Sequence, residues 1–367
     1  MTGKQLKGYI APSAPLNFRL CDGTETGLRL VAGFTTNWFY KRVGVCFGEQ
    51  YHKDPYFRFR EIEKMRRYLE ETFPTVPCFR EIDPVQECAT ISGVYGVCGV
   101  AMAYGMKATY QDHDWPAVHP REQFELDYLV DLPSIHVADT PVGADLLRQI
   151  EIIGKEWGKC DGYFNYQGVL GNAFKLMGEA ALLNMLMEPE AMEAVFAHAA
   201  DTTLDMIRTV QTAQRATGFP TAQEGLFSCV SNCLANMISP ALYEEMILHN
   251  DRRVAGAMTH TGVHTCNWVV DKIGPSLSKI DNLGYVDFSM HSDLDLVQHC
   301  FPDARKLVFF SPTDFIGHSD DALEATLVNI YSHFGSCDIC LADLDLNTPD
   351  AELIRFSAVI DRINEKL

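Results

Sequence analysis

The sequence predicts an α/β protein, a parallel TIM (β/α)8 barrel preceded by an N-terminal extension, and three observations carry that expectation. First, the 367 residues are 47% hydrophobic, enough for one large core. Second, from about residue 75 onward short β-rich runs alternate with helix-length amphipathic stretches. About eight such alternations are what a parallel barrel needs, because each crossover requires a helix. Third, the competing doubly wound sheet normally carries a glycine-rich phosphate loop after its first strand. The segment GVYGVCGVAMAYG has glycines at 93, 96, 99 and 105, a spacing that departs from G-x-G-x-x-G.

The elements follow in order. Residues 1–70 read as an irregular extension packing on the barrel, with a helix near 60–72 covering one end, and residues 71–367 read as the barrel. Strands are expected at 75–79, 101–110, 162–166, 226–230, 262–266, 285–290, 306–310 and 336–342. The clearest helix runs from about 189 to 216, with Met192, Val195, Phe196, Ala199, Met206, Ile207 and Val210 close to helical spacing. Pro189 suits its first turn and Gly218 follows its end. Ser239-Pro240 starts another, a cap residue followed by proline, with Glu244 and Glu245 early in the helix.

Composition excludes several function classes. A net charge of −19 opposes nucleic-acid binding, since phosphates would be repelled. No run of about 18 apolar residues predicts a membrane span, and the N-terminus lacks the apolar core of a signal peptide. The cytoplasm is the expected compartment, and the 12 cysteines are read there as thiols.

The most informative motif is His264-Thr265-Cys266 in VHTCNWVVDKI. In an extended segment residues i and i+2 point to one side, so an imidazole and a thiolate can reach one ion. Zinc favours that donor pair, and a catalytic zinc takes three protein ligands and one open position. The third ligand is expected near the last strand: Cys340 first, Cys337 second, Asp343 third. The CDIC spacing of the two cysteines also fits a redox pair, although its surroundings are β-like rather than a helix N-terminus. Cys229 and Cys233, flanking Asn232, read as packing beside the site.

In a barrel the active groups gather at the C-terminal ends of the strands. His291 and Asp293 follow an expected strand and are the acid–base candidates, with a helix cap at Ser292 or Asp293 as the alternative. His113, Asp114 and Trp115 read as a turn. Trp38, Phe39 and Tyr40 form either a pocket lid or core, and Tyr166 is a further pocket aromatic.

Read in order, these stretches resemble the uroporphyrinogen decarboxylase superfamily, and within it the corrinoid-dependent methyltransferases. The likeness runs from about Phe34 to the C-terminus. It rests on FGEQYHKDPYFRFREIEKMRRYLEETFP, GYFNYQGVLGNAFKLMGEAALLNMLMEPEAM, NCLANMISPALYEEMILHND, VHTC and LDLNTPDAELIRF. The decarboxylase's arginine-rich substrate signature is absent, with only Lys41 and Arg42 near its place, and Asn232 stands where decarboxylases carry an aspartate. The resemblance therefore implies the methyltransferase branch. It makes His264 and Cys266 zinc ligands with Cys340 as the nearest available third, because Ala342 stands where the branch has its cysteine. Asn267 replaces the branch's glycine after His-x-Cys. The implied cofactors are zinc and a corrinoid carried by a partner protein, and the implied substrate is a small methylated molecule such as an aryl methyl ether or a methylamine. Trp38, Tyr40, Tyr166 and Asn232 would line its pocket. A decarboxylase and a metal-free binding barrel are the alternatives, and homodimer formation is left open.

Overall fold

The computed structural model describes residues 20–21, 23–80, 90–119, 123–160, 162, 164–218 and 228–367. Its centre is a six-stranded parallel sheet flanked by helices. The strands are β1 (Leu28–Phe34), β4 (Ser228–Ser231), β5 (Thr261–His264), β6 (Leu283–Ser289), β7 (Arg305–Phe310) and β8 (Cys337–Leu344), in the order β1-β8-β7-β6-β5-β4. A separate hairpin pairs β2 (Ala108–Gln111) with β3 (Asp114–Val118) antiparallel. The composition explains the parallel core. RKLVFF is buried throughout, and CDICLADL is buried at every position but Asp343, as expected of strands covered on both faces.

Two carboxylates, Asp287 in β6 and Asp338 in β8, sit inside this apolar sheet, and a buried charge needs a partner. Asp338, near the start of its strand, accepts bonds from Arg305 Nε at 2.6 Å, Arg305 Nη2 at 3.0 Å and Arg29 Nε at 2.7 Å. That cluster ties β1 and β7 to the start of β8. Asp287, near the end of β6, turns instead toward His264.

Several expected elements differ. The strand at 75–79 is replaced by a helical turn, Pro77–Arg80, packed beneath Phe34 through Phe79. The strand at 101–110 divides into a helix, Gly99–Ala103, and β2, and Gly105, at φ +91°, allows the chain to turn between them. Residues 164–166 carry no strand. The place of the first strand belongs to β1, which lies within the stretch read as an irregular extension and pairs with β8 from Leu28↔Cys337 to Phe34↔Leu344. Residues 226 and 227 of one expected strand lie outside the described residues, and the pairing there begins at Ser228↔Thr261. The remaining four strands form within two residues of their expected limits.

The helices follow their local signals. Pro55–Thr72 begins on Asp54, whose carboxylate accepts from the Tyr56 and Phe57 amides. Pro189–Ala216 spans the expected length with its apolar residues buried. Ser239 caps Pro240–Met246 by accepting from Leu242 N at 3.1 Å. Beyond the edge strand β4, Gly168 N donates to Ser231 O at 2.8 Å, and a Cβ at Gly168 would lie 1.9 Å from Asn232 Oδ1. Only glycine lets the 164–168 segment approach the end of β4 so closely. Among the described residues, no helix is long and apolar enough to cross a membrane.

Candidate metal centre

The ends of β4 and β5 are fastened together by the backbone: Asn232 N donates to His264 O at 2.8 Å. That bond places Cys233, the first residue of the 3-10 turn Cys233–Met237, against the chain leaving β5. The expectation that 264–266 is extended fails here. β5 stops at His264, and Cys266 and Asn267 take left-handed φ values of 58° and 61°. Two successive non-glycine residues in that region are costly, and such strain gathers at functional sites. Its effect is to fold Cys266 back, so that its Sγ lies 3.1 Å from His264 Nε2.

Cys233 Sγ, His264 and Cys266 Sγ offer three ligand atoms within 4.8 Å of one another. The two sulfurs are joined as a disulfide, with Cα atoms 5.5 Å apart. The reading of every cysteine as a thiol is thus corrected at one pair, because the turn after β5 brings two residues 33 positions apart into contact. His264 is buried, Cys233 half-buried and Cys266 exposed, so the group opens toward solvent on the cysteine side.

Asp287 fixes the imidazole. Its Oδ2 lies 2.6 Å from His264 Nδ1 and accepts from Tyr285 OH at 3.0 Å, while its Oδ1 accepts from Thr265 N at 2.6 Å. The Thr265 hydroxyl donates to the Asp287 carbonyl at 2.8 Å. Burial pushes the Tyr285 hydroxyl well up, so it remains a donor. With Nδ1 engaged, Nε2 is the nitrogen facing the sulfurs. A carboxylate behind a histidine behind an ion is a recurrent arrangement in metal sites, and the donor set of one imidazole and two thiolates suits zinc. The residues present therefore fit a metal.

The expected third ligands lie elsewhere. Cys340 is fully buried in mid-strand, in register with Val31 and Phe309, and burial raises its thiol pKa well above the usual range. Cys337, at the start of β8, is pushed up to about 12 by burial and by Asp338. Among the described residues neither joins the group, whose third member is Cys233. Asp343, the last residue but one of β8, stands at φ 54°, and lost solvation raises its carboxyl pKa.

The other expected site residues are scattered. His291 is exposed and pairs with Asp314 at 2.8 Å, and Asp293 caps the helix Leu294–Cys300 by accepting from Leu296 N at 3.0 Å. Asp293 is thus the helix cap of the alternative reading. Trp38 is core: its ring lies 4.2 Å from that of Phe34, with the Arg42 guanidinium stacked 4.5 Å from it. Tyr40 is half-buried beside His113, ring centroids 5.8 Å apart. Tyr166 is buried against Phe164. Asn232 adjoins the group through its backbone, but its side chain turns away and donates to Asp251 Oδ2 at 2.9 Å. Tyr243 donates to the same oxygen at 2.7 Å, and burial drives the Asp251 carboxyl pKa up to about 6 against those bonds.

Sequence reasoning left Cys233 as packing and passed over Asp287. The signal for Asp287 was present: a lone acid inside the apolar strand LGYVDFS demands a buried partner. For Cys233 the four-residue spacing from Cys229 carried no such signal, because the turn that presents it is set by tertiary contacts.

No protein-family model matches the chain, and no curated protein matches it. Among solved structures the chain is similar to a methyltransferase from Methanosarcina mazei, with TM-score 0.62 and 14% identity over 94% of each chain. It also aligns with a Listeria monocytogenes protein assigned as a vitamin-B12-independent methionine synthase, at TM-score 0.39 and 11% identity over 64% of this chain and 71% of that one. At these identities the first likeness is one of fold, and the second carries no weight.

Proposed function

We propose that the chain is a zinc-dependent methyltransferase that moves a methyl group between a small methylated substrate and the cobalt of a corrinoid protein. The observation that carries this reading is the Cys233–His264–Cys266 group with Asp287 behind the imidazole. The fold shared with a protein named as a methyltransferase supports it. When bound, zinc supplies a Lewis acid that turns a thiol into a thiolate or polarises an ether oxygen. The chain's own residues do the rest. Asp287 holds His264 in one tautomer and one orientation, and Tyr285 and Thr265 hold Asp287. The exposed side of Cys266 leaves the group open to substrate. Met237, Trp268, Val269 and Leu346, in the segments following β4, β5 and β8, present exposed apolar side chains suited to a partner surface.

The proposal includes a closed barrel. A Cβ at Gly162, φ +108°, would meet Thr90 Oγ1 at 2.0 Å and Ser92 N at 2.8 Å, and Gly168 bonds to the end of β4. Both contacts support that reading: the 90–92 segment meets Gly162, and Gly168 reaches the end of the edge strand β4. The decisive experiment measures metal content and methyl transfer to a Co(I) corrinoid protein in the same preparations. One zinc per chain, lost together with methyl transfer in His264→Ala and Cys266→Ser, is the expected result. Unchanged transfer in both variants would overturn the reading, and porphyrinogen turnover by a metal-free chain would favour a decarboxylase.

A further inference from the structure

We propose that the metal centre is redox-gated: closing the Cys233–Cys266 disulfide and binding the metal are mutually exclusive states of the same two sulfurs. The inference rests on the metal reading above and adds its regulation. Its basis is that the structure holds the two cysteines as a disulfide while His264 Nε2 stays 3.1 Å from Cys266 Sγ, so ligand pair and redox pair share one geometry. The thiolate is the ligand form of cysteine, and a disulfide sulfur has no thiolate charge to offer an ion. Closing the bond therefore leaves His264 as the only ligand of the group. Reopening it restores two thiolates beside an imidazole that Asp287 has kept in place.

Access and proximity together decide which cysteines take part, since the exposed Cys21 and the half-buried Cys46, Cys78 and Cys300 do not belong to the group. Cys266 is exposed and Cys233 half-buried, whereas Cys229, Cys337 and Cys340 are buried, and lost solvation holds their thiols protonated. The oxidant is a small-molecule disulfide, RSSR. The Cys266 thiolate attacks one sulfur of RSSR and expels one RS⁻, forming a mixed disulfide. The Cys233 thiolate then attacks Cys266 Sγ and expels the second RS⁻. Two cysteine thiolates are oxidised, one RSSR is reduced to two thiolates, and the divalent ion departs with its charge unchanged. A dithiol reverses both steps.

The test uses the full chain, reduced, freed of reductant and loaded with zinc, then titrated with oxidised glutathione. Free zinc is read with a chromogenic chelator, and disulfides are located by peptide mapping. The expected result is release of one zinc per chain in step with a Cys233–Cys266 cross-link, with uptake restored by dithiothreitol and added zinc. In Cys233→Ser, Cys266 should stop at the glutathione adduct. Zinc retained while the Cys233–Cys266 link forms overturns the gate and leaves the metal reading standing. So does zinc released with that link absent. A reduced chain that takes up no zinc overturns the metal reading, and the gate with it.

Discussion

Asp287 and His264 meet across neighbouring strands β5 and β6, carboxylate Oδ2 to imidazole Nδ1 at 2.6 Å, both out of contact with solvent. The pairing does for the imidazole what no neighbour in sequence could: it selects the tautomer and aims Nε2 at the cysteines. Asp287→Asn should keep the strand packed while weakening that hold. The expected loss in zinc affinity is about 10- to 100-fold, typical for removing such a support. A competition titration against a chelator of known affinity checks it. An unchanged affinity would mean that Asp287 serves only the backbone of Thr265.

Much of this arrangement was legible in the sequence. Four of the strands, the 189–216 helix and the Ser239 cap follow from apolar runs, helical periodicity and capping chemistry, all local signals. β1 was not, because Arg29 interrupts its apolar pattern and is tolerated only through Asp338, 309 positions away. The His264–Cys266 pair was legible as a motif, yet the reason for its contact was misread. Cys266 reaches His264 through a left-handed turn, which periodicity cannot reveal.

The third ligand separates the two readings of the cluster. Cys233→Ser should lower zinc affinity sharply, whereas Cys340→Ser should leave stoichiometry at one per chain, since Cys340 is sealed inside the sheet. Atomic emission on the dialysed variants measures both. Retention in the first and loss in the second would restore Cys340 as the ligand.

Arg58 is a further buried charge that organises the fold, beside Asp287 and Asp338. Fully buried, it donates to Thr90 O at 2.7 Å, Tyr51 O at 2.8 Å and Gln149 Oε1 at 2.9 Å. Arg58→Met keeps most of the volume and strands those acceptors, at about 1–3 kcal/mol for each one left unsatisfied. A total destabilisation of about 3 kcal/mol or more is expected, read as a lowered midpoint in urea with the slope unchanged.

Asp251 makes stability depend on pH. Its carboxyl pKa is raised from 3.8 to about 6 by burial, with Tyr243 and Asn232 as partial compensation. A carboxyl with a raised folded-state pKa holds its proton more tightly in the folded chain. The contribution is therefore fully present below the unfolded pKa and is lost as pH rises through the folded one. That loss is about 3 kcal/mol between pH 4 and pH 6. Asp251→Asn removes the titrating group while keeping a side-chain oxygen for Tyr243 and Asn232. The variant's urea midpoint should change less between those pH values than that of the parent chain, the two curves drawing together at the acid end. Parallel curves would show that Asp251 titrates alike in the folded and unfolded chain.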